Sequence, residues 1–231
     1  MRSILLILLS SYVVFVSCQT ISNIRLVDHT SYIIELIQKT LDRVQKNNWR
    51  ELKVQDVRME IDEDVLNTTV KGTIDFTNGF IVSMQRLDLV QSSVQQVWIY
   101  NRLTNITNLE LRSMLRMHDV AIGFDVDADL NNGKYRKTGV IVYPLIQFDC
   151  RLIKNVYTDE LSSTVTPVLP LTRNTMNFLP QDDVTQVLSV LFHWNNTFSS
   201  VETWANTLAP IILDLAKTEH KIPDYCYNCP A

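Results

Sequence analysis

Between Val184 and Leu215 the apolar residues fall three and four apart: Val184, Val187, Leu188, Leu191, Trp194, Phe198, Val201, Trp204, Leu208, Ile211, Ile212 and Leu215. That spacing predicts a helix with one continuous greasy stripe. Unbroken, it would run about 48 Å at 1.5 Å per residue. Asp182-Asp183 supplies the N-cap chemistry for its start. Pro210 predicts a kink, and Asn195-Asn196 or Ser199-Ser200 offers a place to split it into two helices. A rod of this kind must bury its stripe, so the rest of the chain has to supply a matching apolar surface.

The middle of the chain supplies one. From Val70 the period changes from helical to two. Val70, Gly72, Ile74 and Phe76 alternate with polar residues, as do Leu87 and Leu89, and Val97 to Tyr100 is a short β-rich run. Leu109, Leu111, Leu115 and Met117 form a further set, followed by Ile122, Phe124, Val126, Ala128 and Leu130. Val140, Val142, Ile146, Phe148, Cys150 and Leu152 share the last one-sided face. Asn78-Gly79 offers a turn or bulge, and Asn132-Gly133 a turn. Consecutive two-sided strands with short turns predict an antiparallel meander with one wet face. Before it, Leu26, Ile33, Ile37, Leu41 and Val44 mark an amphipathic helix over about 24–46, and residues 47–64 read as a connector. Residues 156–181 hold Pro167, Pro170 and Pro180 and read as irregular, as does the tail from about 218. The expected fold is α+β: a long curved antiparallel sheet wrapped around a long C-terminal helix, with an N-terminal amphipathic helix.

Residues 1–18, MRSILLILLSSYVVFVSC, have the layout of a secretory signal: Arg2, an apolar run broken by serines, then Ser17-Cys18. The expectation is a secreted, extracellular protein whose mature chain, 19–231, forms a single domain. No later segment is long enough to span a bilayer. Losing Arg2 moves the net charge from −4 to −5, and the basic residues do not cluster with aromatics, which argues against nucleic-acid binding. Asn67, Asn105 and Asn195 open glycosylation sequons. Cys150, Cys226 and Cys229 remain after the signal; a local Cys226–Cys229 disulfide or a bridge to Cys150 is the expected pairing.

Catalytic machinery is absent from the pattern. There is no G-x-S-x-G, H-E-x-x-H, Walker A or Rossmann glycine motif, and His29, His118, His193 and His220 are scattered. Asp125-Val126-Asp127-Ala128-Asp129 looks like the start of a calcium loop, but its sixth and twelfth positions are Leu130 and Arg136 rather than Gly and Glu. Alternation explains these aspartates as the wet face of a strand. The expectation is a non-enzyme without metal or cofactor.

Bulky residues facing aliphatic strands either fill the space between helix and sheet or leave an apolar groove along it. A groove would suit a fatty acid, sterol or terpenoid, each buried CH₂ gaining about 0.8 kcal/mol. The residues that would line it are Ile33, Ile37 and Leu41 of the first helix, Phe124, Val126 and Phe148 of the strands, and Leu191, Trp194, Phe198, Trp204, Leu208 and Ile212 of the last.

The stretch His118-Asp119-Val120-Ala121-Ile122-Gly123-Phe124-Asp125-Val126-Asp127-Ala128-Asp129-Leu130 resembles the central strand of the house-dust-mite group seven allergens and their insect relatives. Gly72 through Asn78-Gly79 to Arg86, and Thr207-Leu208-Ala209-Pro210 within a late helix, are similar too. The resemblance spans roughly residues 65–216. It implies the fold of the bactericidal/permeability-increasing and juvenile-hormone-binding (takeout) proteins, with an apolar cavity for lipid-like ligands. No cysteine lies between Cys18 and Cys150, where takeout-type proteins carry a pair, so the resemblance favours the allergen-like branch; Cys226 and Cys229 depart from it. The relatives in host defence imply the alternative of an innate-immunity module that recognises a microbial surface or a protein partner.

Overall fold

The computed structural model describes residues 28–48, 52–65, 68–168, 176–192 and 197–223. Thr30–Ile222 form one compact unit, and residues 1–29 with 223–231 form another. All but three residues of the second fall outside the described set, and with them the proposed signal segment, Cys226 and Cys229.

The elements of the main unit are α1 (Thr30–Lys46), β1 (Val57–Val65), β2 (Thr68–Ser83), β3 (Arg86–Asn101), β4 (Ile106–Leu130), β5 (Gly133–Asn155), β6 (Leu161–Val168), β7 (Met176–Leu179), α2 (Asp183–Leu191) and α3 (Phe198–Lys217). The fold is α+β, built on one long, curved, antiparallel sheet of seven strands. Two long central strands organise it. β4 and β5 pair over their whole length, from Leu130↔Gly133 at the hairpin to Asn108↔Asn155. β2 pairs with the second half of β4 and β3 with the first half, while β1 closes the edge beyond β2. On the other side β6 pairs with the second half of β5 and β7 with the first. One end of the sheet is therefore β1-β2-β4-β5-β7 and the other β3-β4-β5-β6.

The helices divide the inner face between them. α1 lies on β3 and β4, α3 on β6 and β5, and α2 on β7. α1 and α3 also pack on one another, tied at the surface by Arg43 donating to Asp214 at 2.7 Å.

The apolar stripe of β4 changes number parity partway. Its buried residues are Leu109, Leu111, Ser113, Leu115 and Met117, then Val120, Ile122, Phe124, Val126, Ala128 and Leu130. In β5 the buried set shifts from Ile141 and Tyr143 to Ile146, Phe148, Cys150 and Leu152. The shifts face each other, since Met117 pairs with Ile146 and Val120 with Tyr143, and the register on either side is unbroken. Each strand has thus inserted one extra residue at the same level. In β4 Asp119 takes φ 48°, a left-handed conformation that aspartate tolerates, and in β5 the exposed Pro144 stands opposite. Without this matched insertion the period of two would turn half of each stripe to water. With it, every apolar residue of both sets joins one contiguous core.

Three sequence expectations are corrected. Val140 and Val142, expected on the buried face with Ile146 to Leu152, stand on the opposite face, because before the insertion the inward positions are Gly139, Ile141 and Tyr143. Residues 47–64 are not all connector, because β1 occupies Val57–Val65. Glu60, Asp62, Glu63 and Asp64 are all exposed on this edge strand, and their density hides its alternation. Residues 156–181 contain β6 and β7. Half of β6 is Ser and Thr, and Pro167 fits because the strand has a partner on one side only. As the sequence allowed, the 184–215 stripe is two helices, the first ending at Leu191, where Phe192 turns extended (ψ 121°), and the second starting at Phe198. Pro210 sits inside α3, which continues through it to Lys217. Asn78-Gly79 proves to be a bulge within β2, with Asn78 at φ 54° and the β2–β4 register shifting between Thr77 and Phe80. The predicted cap at Asp182 forms. Its carboxylate accepts from the Thr185 amide at 3.0 Å while the Thr185 hydroxyl accepts from the Asp182 amide at 2.9 Å, a capping box. The Lys137 ammonium bonded to it, and then that amide, hold the Asp182 carboxyl below the usual carboxylate range.

Candidate functional site: an apolar interior under three helices

α1 turns Tyr32, Ile33, Leu36, Ile37, Thr40 and Val44 inward at helical spacing. α3 contributes Val201, Trp204, Ala205, Leu208, Ile212, Leu215 and Ala216. Trp204 is 0% exposed, and its indole N–H donates to the Lys53 carbonyl at 2.6 Å. The Ser200 hydroxyl accepts from the Gln55 amide at 2.9 Å, so the start of α3 is pinned to the segment that leads into β1. Beyond the end of α3, His220 stacks on Tyr32 with ring centroids 4.7 Å apart, and the Tyr32 hydroxyl donates to the His220 carbonyl at 2.7 Å. Burial raises the Tyr32 phenol above its ordinary pKa. Near the other end of the sheet Phe76 makes edge contacts with Phe124 at 6.0 Å and with Phe192 at 5.0 Å.

Of the predicted lining residues, Ile33, Ile37, Phe124, Val126, Phe148, Trp204, Leu208 and Ile212 lie in one buried core, with Leu41 and Leu191 packed half-buried against it. Trp194 and the side chain of Phe198 lie outside the described residues, as do Asn67 and Asn195. Asn105 is exposed in the β3–β4 turn at φ 53°, where its side-chain Oδ1 accepts from the Tyr100 hydroxyl at 2.9 Å. Sequence reasoning left Leu36, Phe192, Met176 and Phe178 out of the interior. The last two belong to a four-residue strand, too short for alternation to register.

The pairing expectation for Cys150 is corrected. Alternation along β5 turns this residue into the core at 1% exposure, and it is a free thiol. Burial, with a smaller contribution from Asp149, pushes its pKa up to about 12. It should therefore resist a water-soluble disulfide reagent at pH 8 in the native protein and react promptly in denaturant; a stopped-flow thiol titration checks this, and fast native labelling would contradict the packing.

The opposite face of the sheet is wet and ion-paired. Asp129 meets Lys134 at 2.7 Å and Asp127 meets Arg136 at 3.5 Å, which accounts for the aspartates of the calcium-like stretch. Glu110 is buried beneath Arg112 at 2.8 Å and Arg151 at 3.6 Å. Across its middle this face carries apolar residues instead: Phe80 and Val82, 59% and 51% exposed, lean over Gly123, and Val142 lies beside them on β5. Concavities of about 290, 330 and 410 Å³ open near Asp182, near Val54 and Phe80, and near Asp127 and Arg136; none of the predicted lining residues borders any of the three. Among the described residues no group of three or more His, Cys, Asp or Glu could hold a metal ion, and no helix is long and apolar enough to cross a membrane.

These features define a sheet-and-helix scaffold with an apolar interior. No family model matches the sequence, that of the mite group seven allergens included, and no curated protein matches it. Among solved structures, the crystal structure of a lipopolysaccharide binding protein is a structural neighbour at TM-score 0.40 and 8% identity. The match takes in 80% of this chain and 38% of that one, so this chain spans less than half of the neighbour's length.

Proposed function

We propose that this protein is an exported, non-enzymatic binding protein for a small hydrophobic or lipid-like molecule, of the allergen-like kind its sequence resembles. The ligand would lie between the helices and the inner face of the sheet. The observation that carries this reading is the extent of that face: a largely apolar surface runs along β4 from Leu109 to Leu130 and along β5 from Ile141 to Leu152, held on one side by the matched insertion. Its covers are three separate helices of 17, 9 and 20 residues, so an apolar chain has seams along which to enter. Ile33, Ile37, Phe124, Phe148, Leu208 and Ile212 would contact it.

Organic extraction of the purified secreted protein, followed by mass spectrometry, should release a lipid, and the delipidated protein should take up a fluorescent fatty-acid probe. Trp204→Asp should weaken uptake, and circular dichroism must exclude loss of folding as the cause. No extracted lipid together with no uptake would sink the proposal.

A second reading, recognition of a microbial surface or protein partner without a small ligand, is favoured by the apolar strip of Phe80, Val82 and Val142 on the outer face, since such patches mark interaction sites. Capture on bacterial envelopes by protein that never takes up the probe would select it.

A further inference from the structure

The inner face is mostly apolar: Lys137 and Lys154 stand toward its two ends, opposite Val126 and Leu109, and a polar pair lies between them. Ser113 of β4 and Cys150 of β5 are register partners, both 1% exposed. They straddle the boundary between the strands that α1 covers and those that α3 covers. The Ser113 hydroxyl has no hydrogen-bond partner among the described residues. Ser163 of β6 shares this lack, but several other buried or half-buried hydroxyls are satisfied. Thr40 donates to the Leu36 carbonyl at 2.9 Å, Thr185 to Asp182 at 2.7 Å, and Ser93 donates to Val90 at 2.6 Å while accepting from Met114 at 2.7 Å. An orphaned buried hydroxyl keeps its full desolvation penalty, and native structures rarely leave one without a purpose. Cys150 beside it offers only a weak donor and acceptor.

We infer that Ser113 and Cys150 form a polar notch that seats the neutral hydroxyl end of an otherwise apolar ligand, a long-chain, sterol or terpenoid alcohol. This rests on the reading of the interior as a ligand site. The neighbours on the same face are Leu111, Leu115, Phe148 and Leu152, all apolar and at most 1% exposed. An anionic head among them would be buried without a counter-charge, which is far more costly than burying a hydroxyl. A hydroxyl can both accept from Ser113 and donate to it, which is the capacity the serine lacks a partner for. The hydrocarbon then runs along the stripe that the helices cover.

The test compares three probes of one chain length, 1-dodecanol, its methyl ether and dodecanoate, by displacement of the fluorescent fatty-acid probe from the full-length protein. Dodecanol should bind tightest. Ser113→Ala should weaken it on the order of fivefold, the worth of one hydrogen bond, and weaken the ether, which accepts from the serine but donates nothing to it, by less. Ser163→Ala, which removes a buried hydroxyl on β6 that also lacks a partner among the described residues, should change none of them. Dodecanol should also slow labelling of Cys150 by a small apolar thiol reagent. Equal binding of alcohol and ether with no effect of Ser113→Ala would overturn the notch and leave the lipid-binding reading standing, as would tightest binding of dodecanoate. Failure of the fluorescent probe itself to bind the unsubstituted protein would remove both. The urea midpoint of each variant confirms that differences report on binding.

Discussion

Replacing Trp204 by alanine should lower the unfolding free energy by about 3–5 kcal/mol, the range for deleting a fully buried large aromatic. Two losses combine. The indole leaves a cavity in a core that α1, α3 and the sheet build together, and the Lys53 carbonyl loses the N–H that reaches it at 2.6 Å. Trp204→Phe separates them, since it keeps most of the volume and forfeits the hydrogen bond, so it should cost roughly 1–3 kcal/mol. Urea denaturation read by far-ultraviolet circular dichroism measures both. A Trp204→Ala protein within 1 kcal/mol of the parent would mean that α3 does not rest on the sheet through this residue.

The second large effect is expected at Phe124, in the half of β4 that pairs with β2. Phe124→Ala should also cost about 3–5 kcal/mol, because the ring meets Phe76 edge-on and lies against the bulge at Gly79, where an added Cβ would stand 2.7 Å from it. Val54 crowds the same glycine, and Lys53 next to it receives the Trp204 indole. The two sites therefore share the segment before β1. The double variant should depart from additivity by 0.5 kcal/mol or more, as neighbouring sites do. Strict additivity would show that this segment does not couple α3 to β2.

Much of this was legible in the sequence because single-sided alternation and three-and-four spacing leave strong signatures. The amphipathic N-terminal helix, the β4–β5 hairpin at Asn132-Gly133, the cap at Asp182 and the burial of Phe124, Phe148, Leu208 and Ile212 follow from local pattern alone. What stayed hidden is what a local pattern does not encode. β1 and β6 are edge strands whose side chains answer more to water than to a core, so acids in one and hydroxyls in the other mask their period. The break after Leu191 leaves the stripe of apolar residues intact on both sides, so spacing alone does not place it, although Asn195-Asn196 offered a split nearby. Ser113 was visible as a serine within a leucine stripe, but its lack of a partner is a tertiary fact.

The paired irregularity at Asp119 and Pro144 has an evolutionary and engineering consequence. Deleting either residue alone would throw one strand out of phase with its neighbour, and deleting both would restore the phase while exposing the grease of one whole half. In a chain built this way the two midpoints are bound to change together or not at all.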